Sequence, residues 1–288
     1  MKSSNIGGQA VMEGVMMRNA DKYAVAVRKT DGEIVVKTEE YKGIVQNKKI
    51  RSLPIIRGVF SFIDSMVLGM STLTYSASFF MDEEEEEKDE KKESVMMGLT
   101  IACSVVMAVA IFMILPYFLS QLFRKFTDST TLITLLEGAV RLVIFFGYIL
   151  LISRMKDIQR VFMYHGAEHK CINCIEHGME LNVENVLKSS RLHKRCGTSF
   201  LFIVMIVSMV FRLLLIPVIA GVSFEFIRLA GKSENKLVIL LSKPGMMLQK
   251  LTTREPDASM AEVAIASVEA VFDWRAYLKE NFGWQEKV

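Results

Sequence analysis

The chain has 288 residues, 51% of them apolar and 23% charged, with a formal net charge of +3 and a mean hydropathy of +0.30. Such a length makes one large domain or two ordinary ones, and a positive charge this small and scattered argues against a nucleic-acid partner. High hydropathy beside an ordinary charged fraction requires segregation of long uncharged runs from strongly charged ones, the pattern of membrane proteins.

The opening MKSSNIGGQAVMEG has neither a continuous apolar run nor a cleavage site, so no secretory signal is expected. Cysteines in such a chain read as metal ligands or free thiols rather than disulfides. Residues 23–28 (YAVAVR) and 33–38 (EIVVKT) are predicted strands, joined by a hairpin turn at Asp31-Gly32. Gly7, Gly8 and Gly14 punctuate the preceding GGQAVMEGVMMR and suit turns or close backbone approach. Neither a Lys-Ser/Thr pair nor GxGxxG accompanies them, which argues against a nucleotide loop.

Residues 56–80 are predicted to be helical, with Phe60, Ile63, Val67 and Met70 at helical spacing and Arg57 and Asp64 interrupting the apolar face. An amphipathic helix at the membrane interface fits this pattern better than a full span. Residues 82–93 (DEEEEEKDEKKE) contain no apolar side chain and read as a solvated linker. Residues 95–119 carry no charge over 25 positions and are predicted to cross a membrane. Cys103 within them reads as a small buried hydrophobe. Residues 132–152 form a second predicted span. Its Glu137 and Arg141 are four apart on one face, either as a mutual pair or as a polar wall of a cavity.

A third apolar run covers 198–220, is broken by Arg212 and Pro217, and continues more weakly to 231. It is too long for one upright helix and too short for two full spans, so a helical hairpin or broken helix is expected. The segment 153–198 holds eight Lys and Arg residues, whereas 120–131 holds two. By the positive-inside rule 153–198 is cytoplasmic, as is the basic N-terminal region. A hairpin after 198 returns the tail to the cytoplasm. In that tail Ser259 and Glu262 suggest a capping box that starts a helix running to Phe272.

All four histidines (His165, His169, His177, His193) and three of the four cysteines (Cys171, Cys174, Cys196) fall between residues 164 and 196. With 155–171 helical, His165 and His169 share one face, one turn apart, and Glu168 sits beside it. HxxEH is the reverse of HExxH and occurs in inverted zinc peptidases, where the histidines bind zinc and the glutamate is the general base. His193 or Cys196 would supply the third ligand. A competing reading takes Cys171, Cys174, His193 and Cys196 as a closed Cys3His structural zinc site. A third leaves His165 and His169 as hydrogen-bonded helix residues. His177, beside Gly178, reads as a turn residue.

The segments GGQAVMEGVMMR, RGV at Arg57, VLGM around Leu68, YHGAEHK, LHKRCGTSF and LQKLTTREPD together resemble the YqhQ-like proteins. These are uncharacterised bacterial multi-pass membrane proteins, described as predicted metal-dependent enzymes. The resemblance covers nearly the whole chain and implies that His165, Glu168, His169, His193 and Cys196 occupy the family's motif positions. It supplies no substrate. Cys171 stands where the family's pattern has Thr, which favours His165, His169, His193 and Cys196 over the Cys3His set. Lys194 stands where Pro is usual, a change of local backbone only. The family's longer insertion after the third apolar run supports two membrane segments there.

The expected fold is mainly α: a multi-pass α-helical membrane protein with a small N-terminal β unit (1–55) and an interfacial helix (56–81). An acidic linker (82–94), a membrane domain (95–231) containing a cytoplasmic metal-bearing helical loop (153–198), and a helical tail (232–288) follow. The expected function is a zinc-dependent hydrolase acting on a membrane peptide or lipid headgroup at the cytoplasmic face. The lipid bilayer, and with it other membrane proteins, are the expected partners. The alternative is a non-catalytic assembly or scaffold protein stapled by a structural metal.

Overall fold

The computed structural model describes residues 2–45, 53–80, 90–210 and 216–285. The acidic linker and the junction of the third apolar run, including Arg212, lie largely outside the described residues. The fold is mainly helical with one small sheet.

The sheet has four strands rather than the two expected: β1 (Gly7–Val11), β2 (Gly14–Asn19), β3 (Lys22–Arg28) and β4 (Ile34–Glu40). They form an antiparallel meander in chain order. The β3–β4 turn is the expected one, with Gly32 at φ +89° and the Asp31 carboxylate accepting from Glu33 N at 2.9 Å. The two earlier turns put Glu13 and Ala20 at φ 49° and 53°, a region that β-turn composition rules reserve for Gly and Asn. That is why β1 and β2 escape a sequence reading. Both faces of the sheet are covered. Val15, Met17 and Ala26 face one core, and Met16, Val25 and Val27 face another with Leu68, the two-residue alternation of a strand buried on both sides.

Helix α1 (Ile56–Ala77) covers the second face. Its two charges are engaged. Arg57 makes a two-pronged ion pair with Glu225, Nε to Oε1 at 2.6 Å. Asp64 is buried and accepts from Ile44 N at 2.8 Å. Helix α2 (Glu90–Val109) continues through a π turn (Ala110–Ile114) into α3 (Leu115–Gln121). Pro116 cannot donate to the carbonyl four residues back, and the helix widens just before it. Cys103 is exposed on α2, not buried within the protein as expected. Helix α4 (Thr130–Ile152) packs against α3. Its Glu137 and Arg141 form a 2.7 Å ion pair, and neither lines the cavities described below.

Helix α5 (Lys156–Glu176) ends at His177, which caps it before Gly178 at φ +80°. A short α6 (Val183–Lys188) follows, then α7 (Gly197–Val210) and α8 (Ile216–Lys232), which pack on each other as the expected hairpin does. Helix α8 also crosses α1 closely: a Cβ on Gly58 would come within 2.9 Å of Gly221 Cα, so the crossing requires small residues. Helix α9 (Lys236–Thr252) returns towards α5. Helices α10 (Ala258–Val271) and α11 (Trp274–Phe282) complete the chain. The N-cap of α10 is Asp257, whose carboxylate accepts from Met260 N at 2.9 Å. The expected Ser259–Glu262 capping box does not form, since Ser259 lies inside the first turn and Glu262 pairs with Arg28 at 2.8 Å.

One core joins three distant segments. Val15 and Met17 of the sheet, Tyr164, Ala167, Cys171 and Ile172 of α5, and Met260, Val263 and Val268 of α10 belong to it. Three described helices are long and apolar enough to cross a membrane: residues Ile56–Phe80, Gly98–Lys125 and Thr130–Ile152.

Candidate metal centre

Helix α5 carries His165, Glu168 and His169 on adjoining positions of one side, as their spacing dictates. The chain then leaves through α6 and comes back, so that Cys196, the residue before α7, faces that side. Among the described residues, His165, His169 and Cys196 bring one ligand atom each to within 4.8 Å of one another. His165 Nε2 lies 3.4 Å from Cys196 Sγ. A four-coordinate zinc with bonds of about 2.0–2.3 Å holds its ligand atoms roughly 3.3–3.8 Å apart, so the donors fit such an ion after a small inward movement.

The remaining ring nitrogens decide which tautomer each imidazole adopts. His165 Nδ1 lies 2.9 Å from Thr252 O, and His169 Nδ1 lies 2.7 Å from Arg191 O. A carbonyl oxygen only accepts, so each Nδ1 must carry the proton. In the neutral ring each Nε2 lone pair is then free and aimed at the shared space. This is the outer-shell arrangement that orients metal-binding histidines.

The three groups are also strongly coupled by charge, and a metal would have to displace the protons they share. Burial alone would raise the Cys196 thiol, but the charges of His165 and His169 outweigh it and hold the thiol well below its usual range. Burial works against charge on His169, yet Glu168 and Cys196 bring its pKa up to about 9. His165 is raised in the same sense, burial being outweighed by Cys196. Groups so perturbed by specific neighbours concentrate at functional sites. A thiolate is also the form of cysteine that binds metal.

Glu168 is buried, with Oε2 3.4 Å from His169 Nε2. The sheet edge reaches it: a Cβ on Gly8 would come within 2.8 Å of Glu168 Cγ and 2.6 Å of Met16 O. Gly8 therefore serves close approach inside a strand rather than a turn. Glu168, His169, His193 and Cys196 line a cavity of about 530 Å³, within the usual range for small-molecule sites.

The other sequence candidates go elsewhere. His193 is buried beside the group, its ring centroid 5.8 Å from that of His169, but its Nε2 faces Glu176 Oε2 at 3.4 Å. Burial lowers the His193 pKa. Glu176 also binds Arg195 and accepts from Ser4 N at 2.8 Å. Burial opposes its charge, but His193 and Arg195 prevail and bring its pKa down to about 2. Cys171 and Cys174 point into the apolar core, so the Cys3His set is not assembled. Burial pushes the Cys171 thiol well above its usual range and Cys174 up to about 12, leaving both as neutral thiols.

The sequence reading assigned no role to the residues that hold this site. Gln249 of α9 is fully buried and clamps the His193 backbone, accepting from His193 N at 2.8 Å and donating to His193 O at 2.7 Å. It also donates to Ser199 Oγ at 2.7 Å. Thr252 O holds His165, and Thr253 O accepts from Arg191 Nη1 at 2.6 Å. All three belong to LQKLTTREPD, a segment that carried the family resemblance and had no chemistry attached.

Comparison with known proteins gives the chain its relatives. No solved structure matches it significantly. It is 35% identical over 300 residues to the uncharacterized protein YqhQ of Bacillus subtilis (strain 168), covering 96% of this chain and 94% of that protein. The model of a family described as "Protein of unknown function (DUF1385)" matches residues 53–274, which include α1 and every residue of the candidate centre. By both measures the chain belongs to this family and is YqhQ-like along nearly its whole length.

Proposed function

We propose that the protein is a multi-pass membrane protein and a zinc-dependent hydrolase. It acts at the cytoplasmic face on a membrane peptide or a lipid headgroup. The observation that carries the catalytic reading is the convergence of His165 Nε2, His169 Nε2 and Cys196 Sγ beside the buried carboxylate of Glu168, with His169, Cys196 and Glu168 on the wall of a cavity. Three ligands leave a fourth position to solvent and substrate, whereas a purely structural zinc is closed by four protein ligands. Bound there, zinc would lower the pKa of a coordinated water towards neutrality. Glu168 Oε2 is the general base, near enough to take a proton from a molecule held against the His169 ring. Thr252 and Arg191 keep both imidazoles in the binding tautomer.

Membrane topology rests on parity. Segments that share a core lie on one side of a bilayer and are separated by an even number of crossings. The sheet precedes the three helices long enough to span, and α5 follows them, yet both belong to one core. Two crossings satisfy this and three do not. The most apolar stretches of Gly98–Lys125 and Thr130–Ile152 are markedly more apolar than that of Ile56–Phe80, which favours the first two as the spans. Helix α1 then lies at the interface. The same rule sends α7 and α8 in and out by one face, because α10 shares the core. The eight Lys and Arg residues of 153–198 support a cytoplasmic position for that core.

Metal analysis of the purified wild type, Glu168→Gln and His169→Ala tests the proposal. Wild type and Glu168→Gln are expected to hold about one zinc each, and His169→Ala to lose it. A wild type that binds no metal sinks the proposal. Loss of metal in Glu168→Gln makes Glu168 a ligand and removes the general base.

A further inference from the structure

Beside the cavity at the candidate centre runs a second one of about 570 Å³, and the two share eight wall residues, among them Gln9, Arg195, Cys196, Phe224 and Ile227. Their chemistry differs. The second is a groove between α1 and the α7–α8 pair, lined by Phe62, Phe200, Phe224 and Ile227 with Gln9, Ser61 and Ser65 as its uncharged polar groups and Arg195 at the junction with the first cavity. At its mouth stand Met66, Met70, Leu73 and Leu201, all apolar and 40–60% exposed. The groove therefore opens onto an apolar surface rather than onto a polar rim.

The first cavity is cationic. Arg18, Arg195, Arg228 and Lys232 line it, against one carboxylate, Glu168. Arg195 is neutralised by Glu176, and Arg18 lies over the Tyr41 ring. Arg228 and Lys232 are one turn apart on α8. The Arg228 charge also acts on Glu225, whose carboxylate is already paired with Arg57. Helix α8 thus offers Phe224 and Ile227 to the groove and two cations to the chamber.

We propose that the two cavities form one binding site for an anionic lipid. Its phosphate-bearing headgroup is held by Arg228 and Lys232 next to Cys196 and His169, and an acyl chain runs along the α1–α7 groove to the apolar mouth. An apolar channel joined end to end with a cationic chamber matches an amphiphile of that polarity. A peptide would instead call for a run of partners for its backbone amides, and the groove offers few, Gln9, Ser61 and Ser65, among mostly aromatic and aliphatic side chains. The proposal deepens the hydrolase reading by naming the substrate class. It rests on that reading for the fate of the ligand, but not for its binding.

The test uses the zinc-loaded full chain in neutral detergent, with ligand binding read by native mass spectrometry. Dioctanoyl phosphatidic acid is the probe, dioctanoylglycerol supplies the chains alone, and glycerol 3-phosphate supplies the charge alone. Phosphatidic acid is expected to bind at least roughly tenfold more tightly than either half. Arg228→Gln with Lys232→Gln is expected to weaken it roughly tenfold or more and to leave dioctanoylglycerol unchanged. Met66→Trp, at an exposed position that folding tolerates, is expected to weaken both chain-bearing probes and spare glycerol 3-phosphate. Equal affinity for phosphatidic acid and glycerol 3-phosphate would overturn the lipid assignment and leave a free-phosphate site. Equal affinity for an acidic, apolar octapeptide would overturn it in favour of a peptide. Wild-type protein that holds zinc but binds no phosphatidic acid overturns the proposal alone. Tight binding without turnover supports it and sinks the hydrolase.

Discussion

Gln249→Leu isolates the part of the site that comes from the far end of the chain. The side chain is fully buried and makes three short hydrogen bonds, to both backbone groups of His193 and to Ser199 Oγ. Leucine fills much of the space but leaves the His193 N–H and C=O without these partners in the interior. Each buried group so orphaned costs about 1–3 kcal/mol. The Ser199 hydroxyl only accepts from Gln249 and can rotate to another partner, so two groups set the magnitude, about 2–6 kcal/mol. At roughly 2–4 °C per kcal/mol this lowers the Tm by about 4–24 °C. The loss extends beyond stability, because the clamped residue is three positions before Cys196. An unclamped return segment lets the thiol drift from His165. Zinc affinity is expected to fall about 10–100-fold, the usual effect of removing an outer-shell support. Thermal unfolding in detergent and competition with a calibrated chelator measure the two quantities. Gln249→Leu with wild-type Tm and wild-type zinc affinity would refute the claim that α9 builds the centre.

Two further outcomes separate the candidate ligands from their neighbours. Replacing Cys171 and Cys174 by alanine together is expected to cost about 1–3 kcal/mol of core packing while leaving zinc content unchanged, whereas Cys196→Ala abolishes binding. Equal metal content in all variants would overturn the assignment of Cys196. Glu176 has its pKa lowered to about 2 in the folded chain, against about 4.3 when unfolded. A lowered folded pKa stabilises above the unfolded value and loses that contribution as pH falls through the folded one. The Tm advantage of wild type over Glu176→Gln, worth about 3 kcal/mol at pH 7, should therefore shrink between about pH 4.5 and 2. A gap that stays constant across that window removes Glu176 as its source.

What the sequence makes legible depends on distance along the chain. His165, Glu168 and His169 are fixed by the 3.6-residue period alone, and the helix carries them as expected. Cys196 is reachable by reasoning because it ends a loop whose other end is α5. His193 shows the limit. It is three residues from Cys196, yet its ring turns to Glu176 and Arg195, an ionic cluster that no spacing rule announces. Gln249 and Thr252 are 56 and 87 residues from the histidines they hold, and a side-chain amide or a backbone carbonyl has no pattern to read. Strands β1 and β2 were hidden for a local reason, since their turns run through Glu13 and Ala20 at positive φ. The fate of Arg57 and Asp64 was hidden for a tertiary one. Both interrupt the apolar face of α1, and both are engaged by partners elsewhere, Glu225 and the Ile44 amide.

The shared core of the sheet, α5 and α10 also has a consequence in time. During synthesis the sheet and α5 emerge long before residues 249–268, which include Gln249, Thr252 and the core positions Met260, Val263 and Val268. Until those residues leave the ribosome, the inner faces of the sheet and α5 stay uncovered and His165 lacks its orienting carbonyl. The three long apolar helices are by then already made. A chain cut between α5 and α10 would thus carry an unfinished centre and expose apolar surface that quality-control proteases recognise. Arrival of α9 and α10 is what commits the sheet and α5 to their folded state.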